Sequence, residues 1–190
     1  MTNLELDKYK IICITGKIAS GKNYFTTKLE KKGWLSIDAD LVAHQAIKEC
    51  KKEILTFFMP IAKEKNINIV LENGEINRRA LGSILFNNKK KKKKQEEILY
   101  PYITKYIEDF IIQNENKKII INATNLYKIP ALMNKCEIII YIKTSYLNRI
   151  KRIKTRDNLP FNQIIKRIKS QKNLLTEYKK TGIPIKVLKN

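Results

Sequence analysis

The amino-terminal part of the chain has an apolar run followed by a segment with helical spacing. Residues Lys10–Thr15 (KIICIT) are mostly apolar and β-branched, which predicts a short strand buried on both faces. In Tyr24–Lys32, Phe25 and Leu29 lie one turn apart and would share a helix face, and Gly33 is a typical helix stop. The pattern predicts a strand, a glycine-containing loop and a helix, in this order.

The same alternation continues along the chain. A second strand is predicted at Trp34–Ile37, and a helix at Leu41–Lys52. Lys118–Asn122 and Glu137–Ile142 are apolar nearly throughout, and a weaker fifth strand is predicted at Ile185–Leu188. Nearly continuous apolar strands alternating with helices are typical of an α/β fold, in which helices cover both faces of a parallel sheet.

The segment Ala43–Glu115 interrupts this alternation with a mainly helical pattern. We expect it to be an insertion within one domain, because 190 residues suffice for one well-buried core but hardly for a second independent domain. It contains six consecutive lysines, Lys89–Lys94, and like charges in a row predict a solvated, mobile stretch. No aromatic residues interleave with them, which disfavours a nucleic-acid patch.

The sequence indicates neither a membrane segment nor a disulfide framework. The first ten residues are charged, and the apolar run Ile11–Ile14 is too short for a signal segment or a membrane span. Cys13, Cys50 and Cys136 are odd in number and form no C-x-x-C pair, so neither disulfides nor a zinc site is suggested. We expect a cytoplasmic protein whose cysteines are small core or surface residues.

The formal net charge of +21 would suit nucleic acid, an anionic membrane surface or phosphorylated small substrates. Of the 39 basic residues only six are arginine. Lysine, isoleucine and asparagine have A/T-rich codons, so biased base composition accounts for much of the charge. The arginines are more informative because their planar guanidinium matches phosphate oxygens in a bidentate way. They are Arg78, Arg79, Arg149, Arg152, Arg156 and Arg167.

The segment Gly16–Asn23 reads GKIASGKN and nearly matches G-x-x-x-x-G-K-[ST], a loop that binds phosphate groups. In such a loop, backbone N–H groups and the amino terminus of the next helix point at the anion, and the lysine, here Lys22, reaches the outer phosphates. Asn23 stands where a hydroxyl residue is usual. Because the segment follows the first buried strand and precedes a helix, a nucleotide site is favoured over an ordinary glycine turn.

Two carboxylates, Asp38 and Asp40, follow the second predicted strand. The carboxyl ends of parallel strands form the crevice in which such sheets bind ligands. One carboxylate would accept a proton from an attacking hydroxyl, and the other would hold Mg²⁺ through water. The alternative is that Asp40 only caps the helix that begins at Leu41.

A second basic element is predicted at Arg149–Gln171. On a helix, its first three arginines would form one stripe, and Asn158–Pro160 would break the chain into a second helix on which Arg167 and Gln171 share a face. Two short helices that carry arginines predict a lid that closes over a triphosphate and supplies cations to the transition state. The alternative is a solvated basic face.

Taken together, these segments resemble dephospho-CoA kinases. The matching stretches are ITGKIASGK, SIDADLVAHQ, INRRALGSILFNN, the YP of ILYPYI, and RIKTRDNLPFNQIIKRIKSQ, in the family's order and spacing over nearly the whole chain. The resemblance implies an α/β P-loop kinase fold with a parallel five-stranded sheet of order 2-3-1-4-5, a helical substrate-binding insertion at residues 43–115 and a lid at residues 149–171. It also implies transfer of the ATP γ-phosphoryl group to the 3′-hydroxyl of dephospho-CoA.

The resemblance further implies roles for single residues. Lys22 would bind the β- and γ-phosphates, Asp40 would be the base with Asp38 beside it, and Arg156 would complete the catalytic set. ATP would contact Gly16, Lys17, Ile18, Ala19, Ser20, Gly21, Lys22, Asn23, Tyr24, Arg156 and Arg167. Dephospho-CoA would contact Asp38, Asp40, Arg78, Arg79, Tyr100 and Pro101. Mg²⁺ would be held by Asn23 and Asp38, and we expect a monomer that binds neither nucleic acid nor a membrane.

The chain also departs from the family pattern. Lys17 and Ala19 replace loop glycines, and Asn23 replaces the hydroxyl that binds Mg²⁺. His44, which takes the place of an arginine, is expected to be an exposed helix residue, and Tyr100 replaces the histidine before a proline. The alternatives are another P-loop nucleotide or nucleoside kinase, or a non-catalytic P-loop protein that binds anions or nucleic acid.

Overall fold

The computed structural model describes residues 5–86 and 88–190. Five strands form one sheet of order β2-β3-β1-β4-β5, and every neighbouring pair is parallel. The strands are β1 (Ile11–Gly16), β2 (Leu35–Asp38), β3 (Ile119–Asn122), β4 (Ile138–Lys143) and β5 (Ile185–Lys189). The predicted fold class, strand order and strand positions are confirmed.

The strands are connected by helices. These are α1 (Lys22–Glu30), α2 (Ala39–Glu49), α3 (Lys51–Glu64), α4 (Arg78–Leu85), α5 (Lys89–Gln113), the short 3₁₀ turn Leu126–Lys128, α6 (Pro130–Met133), α7 (Tyr146–Asp157), α8 (Phe161–Lys169) and α9 (Leu174–Lys179). Within residues 5–86 and 88–190, none of them combines the length and apolar character needed to cross a membrane.

Apolar side chains fill both faces of the sheet. Ile12, Ile14 and Ile140 belong to one buried cluster, which Leu29 of α1 and Trp34 also join. The intervening residues on the same strands, such as Cys13 and Ile139, are fully buried as well. This two-sided burial is why the strands are continuous apolar runs rather than alternating ones.

The chain divides into two compact units. One contains the sheet and consists of the residues up to Ala39 together with Asp109–Asn190. The other, Asp40–Glu108, is helical and has its own buried residues, among them Ile54, Phe58, Ala62 and Leu81.

The lysine run forms the first turns of α5, inside the segment predicted to be mainly helical, and most of its side chains are exposed, as expected of a solvated stretch. Its mobility stays a prediction. Asn88 stabilises this start, because its side-chain oxygen accepts a hydrogen bond from Lys91 N at 2.9 Å. Lys94 pairs with Glu97 at 3.7 Å and lies over the Phe57 ring. The cap is needed because cations at a helix amino terminus oppose the helix dipole.

All three cysteines are buried and free. Burial, with Glu53 nearby, raises the pKa of the Cys50 thiol to about 11. A hydrogen bond with Cys13, together with burial, raises the pKa of the Cys136 thiol well above its usual range. All three lie in the core, which is one of the two environments expected from the sequence.

The loop between β1 and α1 contains one residue in an unusual backbone conformation. Ala19 has a φ of 60°, in the left-handed region that glycine and asparagine adopt more readily. Gly21, with a φ of 96°, is the N-cap of α1. Ala19 therefore occupies a position where glycine, the family's usual residue, would relieve strain.

We expect Ala19→Gly to raise the free energy of unfolding by about 0.5–1 kcal/mol, since removing left-handed strain outweighs the added freedom of the unfolded chain. The matched control is Ala80→Gly in α4, where the same change should lower it by about 1 kcal/mol. Urea unfolding of the three proteins measures both effects. Equal decreases in the free energy of unfolding for Ala19→Gly and Ala80→Gly would contradict the strain assigned to Ala19.

Candidate active site

The loop between β1 and α1 borders a cleft of about 770 Å³ at the carboxyl end of the sheet. Gly16 is the last residue of β1, and a Cβ placed there would lie 2.6 Å from the carbonyl oxygen of Ile142 in β4. Only glycine permits this close approach. The cleft is lined by Ala19, Ser20, Gly21, Lys22, Asn23, Asn148, Lys151, Arg152, Thr155 and Arg156.

The carbonyl groups of the loop are held by side chains from other parts of the chain. The Ser20 carbonyl accepts hydrogen bonds from Thr144 Oγ1 at 2.7 Å, Asn190 Nδ2 at 2.8 Å and Arg152 Nη1 at 3.4 Å. Arg152 Nη1 also lies 3.2 Å from the Ala19 carbonyl. With its carbonyls bonded to these donors, the loop is arranged to turn backbone N–H groups toward an anion.

Two lysines and a tyrosine from the predicted ATP contacts occupy different environments. Lys22 Nζ lies 3.5 Å from the Gly16 carbonyl, so its ammonium folds back over the loop. Lys17 Nζ donates to the Lys172 carbonyl at 3.1 Å, and burial, with Arg149 nearby, lowers the pKa of the Lys17 ammonium. Tyr24 is largely exposed, and Lys28 Nζ lies 4.4 Å from its ring centroid.

The residues predicted to hold Mg²⁺ meet at one amide. Asn122, the last residue of β3, donates from Nδ2 to Asn23 Oδ1 at 3.0 Å and to Asp38 Oδ2 at 3.3 Å. Its own Oδ1 is buried and has no hydrogen-bond partner among the described residues. Asn23, Asp38 and Asn122 thus provide three oxygen atoms within one hydrogen-bonded group of side chains. Oxygen is the ligand atom that Mg²⁺ prefers, so these residues fit this cation.

Both predicted lid helices are present, and the chain breaks between them as expected. Asn158 ends α7 with a φ of 45°, and Pro160 precedes α8. Asp157 accepts hydrogen bonds from Arg156 Nε at 2.6 Å and from Arg167 Nη1 at 3.2 Å. The Arg156 hydrogen bond, with the charges of both arginines, lowers the pKa of the Asp157 carboxyl.

Asp40 is an exposed residue in the first turn of α2. Because α2 begins at Ala39, Asp40 lies in its first turn, one residue inside the start of the helix. A carboxylate in the first turn is stabilised by the helix dipole.

The helical unit contains a second cavity, of about 530 Å³. It is lined by Leu41, His44, Gln45, Ile47, Lys48, Lys51, Asn73, Gly74, Glu75, Ile76 and Arg78. Arg78 begins α4, and Asn77 caps this helix by accepting from Ala80 N at 3.0 Å. His44 is exposed on α2, as expected. Arg79, Tyr100 and Pro101 are not among the lining residues; Tyr100 and Pro101 lie in the middle of α5.

Three residues that contact the loop, or Asn23 and Asp38, had no predicted role there. Asn122 could have been found, because it is the polar residue that ends an otherwise apolar strand and carboxyl ends of parallel strands meet at one edge. Thr144 and Asn190, in contrast, contact the Ser20 carbonyl from positions more than a hundred residues away. No local pattern marks them.

Comparison with known proteins agrees with this geometry. Residues 10–190 match the family model described as dephospho-CoA kinase. The dephospho-CoA kinase of Borreliella burgdorferi is 36% identical over 94% of this chain and 83% of its own length, and that of Treponema denticola is 33% identical over 88% and 76%.

Solved structures agree as well. Dephospho-CoA kinase from Campylobacter jejuni superimposes with a TM-score of 0.66 at 30% identity, covering 95% of this chain and 89% of that one. TT1252 from Thermus thermophilus has a TM-score of 0.75 at 22% identity, over 95% and 87% of the two chains, and shows a shared fold. With a family model matched over nearly its whole length, the chain belongs to the dephospho-CoA kinase family.

Proposed function

We propose that this protein transfers the γ-phosphoryl group of ATP to the 3′-hydroxyl of dephospho-CoA, which yields coenzyme A. The observation that carries the proposal is the family match, which extends over the phosphate loop, the Asp38–Asp40 segment and α7–α8. The bonded carbonyls of the loop support it, because they leave a cleft lined by N–H groups and cations. A cytoplasmic location and a monomeric state stay predictions.

ATP would bind with its phosphates at the loop between β1 and α1. The Ile18 and Ser20 N–H groups are already bonded, to Gln171 and to the Lys17 carbonyl. Other backbone N–H groups of the loop and of the start of α1 would bind the phosphate oxygens, and Lys22 would swing from the Gly16 carbonyl to the outer phosphates. Arg156, which lines the cleft, and Arg167 would bind the transferring group. Both would then exchange Asp157 for phosphate oxygens.

Asn23 and Asp38 would hold Mg²⁺, and the cation would neutralise charge on the β- and γ-phosphates. Asn122 would orient both side chains, since one amide N–H₂ group contacts both oxygens. The unpartnered Asn122 Oδ1 would accept a hydrogen bond from a water of the hydrated ion.

Dephospho-CoA would bind the helical unit and present its ribose hydroxyl to Asp40, which would accept the proton. The cavity there has cationic groups on its lining, Lys48, Lys51 and Arg78, which suit an anionic acceptor. Lys48 is paired with Glu75 at 3.1 Å, so Lys51 and Arg78 are the better candidates for contact with phosphate. Arg79, Tyr100 and Pro101 stay predicted contacts.

The direct test measures ATP consumption with dephospho-CoA and with a panel of nucleosides and nucleoside monophosphates. We expect ADP to form at the rate of coenzyme A production with dephospho-CoA and at background rate with the other acceptors. Turnover of a nucleoside would identify a different kinase. ADP binding without turnover of any acceptor would identify a non-catalytic protein.

Lys22→Ala and Asp40→Asn should fail in different ways. Lys22→Ala loses a phosphate contact and should weaken ADP binding and lower kcat/KM by about 10²-fold. Asp40→Asn loses the proton acceptor and should lower kcat by about 10²-fold while the ADP dissociation constant stays within about twofold. Steady-state kinetics and calorimetry measure these quantities, with Lys31→Ala, an exposed lysine at the end of the helix that contains Lys22, as the control. Wild-type kcat in Asp40→Asn would exclude Asp40 as the base.

Asn23→Thr should lower the Mg²⁺ concentration that gives half-maximal activity, because a compact hydroxyl satisfies octahedral geometry more readily than an amide. Mn²⁺ binding in the presence of ADP, followed by electron paramagnetic resonance, should tighten in parallel, while ADP affinity without metal stays unchanged. Asn148→Thr makes the same change elsewhere in the cleft and should alter neither titration. If the titrations of wild type and Asn23→Thr superimpose, position 23 does not bind the metal.

A further inference from the structure

Both backbone polar groups of Ile18, in the phosphate loop, are bonded by side chains distant in sequence. The Ile18 N–H donates to Gln171 Oε1 at 2.5 Å. The Ile18 carbonyl accepts from Arg149 Nε at 2.9 Å. The two peptide groups on either side of the Ile18 Cα are therefore fixed before any ligand binds.

Further contacts tie the same stretch of the loop to the same part of the chain. Lys17 Nζ donates to the carbonyl of Lys172, the residue after Gln171. The side chains of Ile18 and Ala19 pack against a buried cluster formed by Ile153 of α7 with Ile164 and Ile168 of α8. Polar and apolar contacts thus act together on residues 17–19.

Arg149, which donates to the Ile18 carbonyl, is itself buried. Arg149 is only 5% exposed, and its Nη2 has no hydrogen-bond partner among the described residues. A buried guanidinium is costly unless its N–H groups are bonded. The position thus suits a fixed structural contact with the loop better than a mobile contact with a triphosphate.

This chain has a particular need for such contacts. Lys17 and Ala19 occupy loop positions where the family has glycine, and Ala19 is held in the left-handed region. A strained backbone persists only where its surroundings determine it. Any loop rearrangement needed on binding would subtract from the affinity for phosphate.

We infer that Gln171 and Arg149 are positioning residues. They hold the two peptide groups that flank Ile18, an arrangement called the clamp below, and so preorganise the phosphate loop for nucleotide binding. The inference rests on the proposed function for the identity of the ligand, but the clamp is a property of the chain without ligand. Arg149 and Gln171 are the first and last residues of the predicted lid, 149–171. Both ends of that segment are therefore anchored at the loop, and Ile153, Ile164 and Ile168 between them pack against Ile18 and Ala19.

The first test measures hydrogen exchange of the Ile18 amide by NMR in the ligand-free protein. Gln171→Ala removes the acceptor, and Gln171→Asn keeps the amide but is one methylene too short, so both should speed exchange about fivefold or more. Gln171→Glu keeps the reach and an acceptor oxygen and should retain the protection. The matched control is Gln163→Ala, an exposed glutamine on α8, which should leave Ile18 unchanged.

The second test measures binding of ADP and of inorganic tripolyphosphate by calorimetry. Gln171→Ala and Gln171→Asn should raise both dissociation constants about fivefold, and Gln163→Ala should not change them. Unchanged Ile18 exchange, or faster exchange with unchanged phosphate affinity, would overturn the inference. If Gln171→Ala proves unstable, the contrast between Gln171→Asn and Gln171→Glu decides the same question.

These outcomes are separable from the proposed function. A wild-type protein that does not phosphorylate dephospho-CoA would overturn that function, but the amide-exchange and tripolyphosphate results would still test the clamp. Conversely, an active kinase whose Gln171 variants behave like wild type would retain the function and lose the clamp.

Discussion

The structure depends on one arrangement in the loop between β1 and α1: its backbone N–H groups and its carbonyl groups point in opposite directions. N–H groups can converge on an anion only if the carbonyls beside them have other partners, since unbonded buried carbonyls are costly. In this protein the partners come from the end of β4 (Thr144), from α7 (Arg149 and Arg152) and from Asn190 after β5. The sheet order brings these donors together, because β4 and β5 both lie on the same side of β1.

Much of the fold could be predicted from the sequence because its signals are local. Continuous apolar runs identified all five strands, and Asn158–Pro160 identified the break between α7 and α8. The predicted helix boundaries were less accurate, because α1 and α2 each begin two residues earlier than expected. Gly21 already marks the end of the loop after β1, and Asp38 marks the end of β2. The start of α5 lies inside the insertion that was predicted to be mainly helical, but the cap at Asn88 that stabilises this start was not predicted.

The details of the candidate site could not be predicted in the same way. The contact of Asn122 with Asn23 and that of Gln171 with Ile18 join residues that are 99 and 153 positions apart. Asn122 is recognisable as the polar end of an apolar strand, but asparagine is frequent in this chain, so the sequence does not indicate that Asn23 is its partner. Likewise, the net charge does not reveal that Asp157 holds two arginines in place, which is a local effect of one carboxylate between two cations.

The buried cysteines have a practical consequence for studying motion in this protein. A thiol reacts as the thiolate and only when a reagent reaches it, so burial makes all three cysteines inert in the folded state. The raised pKa values of the Cys50 and Cys136 thiols act in the same direction. Cys50 belongs to the helical unit, and Cys13 and Cys136 belong to the unit that contains the sheet. Alkylation rates at the separate sites would therefore report the transient opening of each unit individually, without any added label.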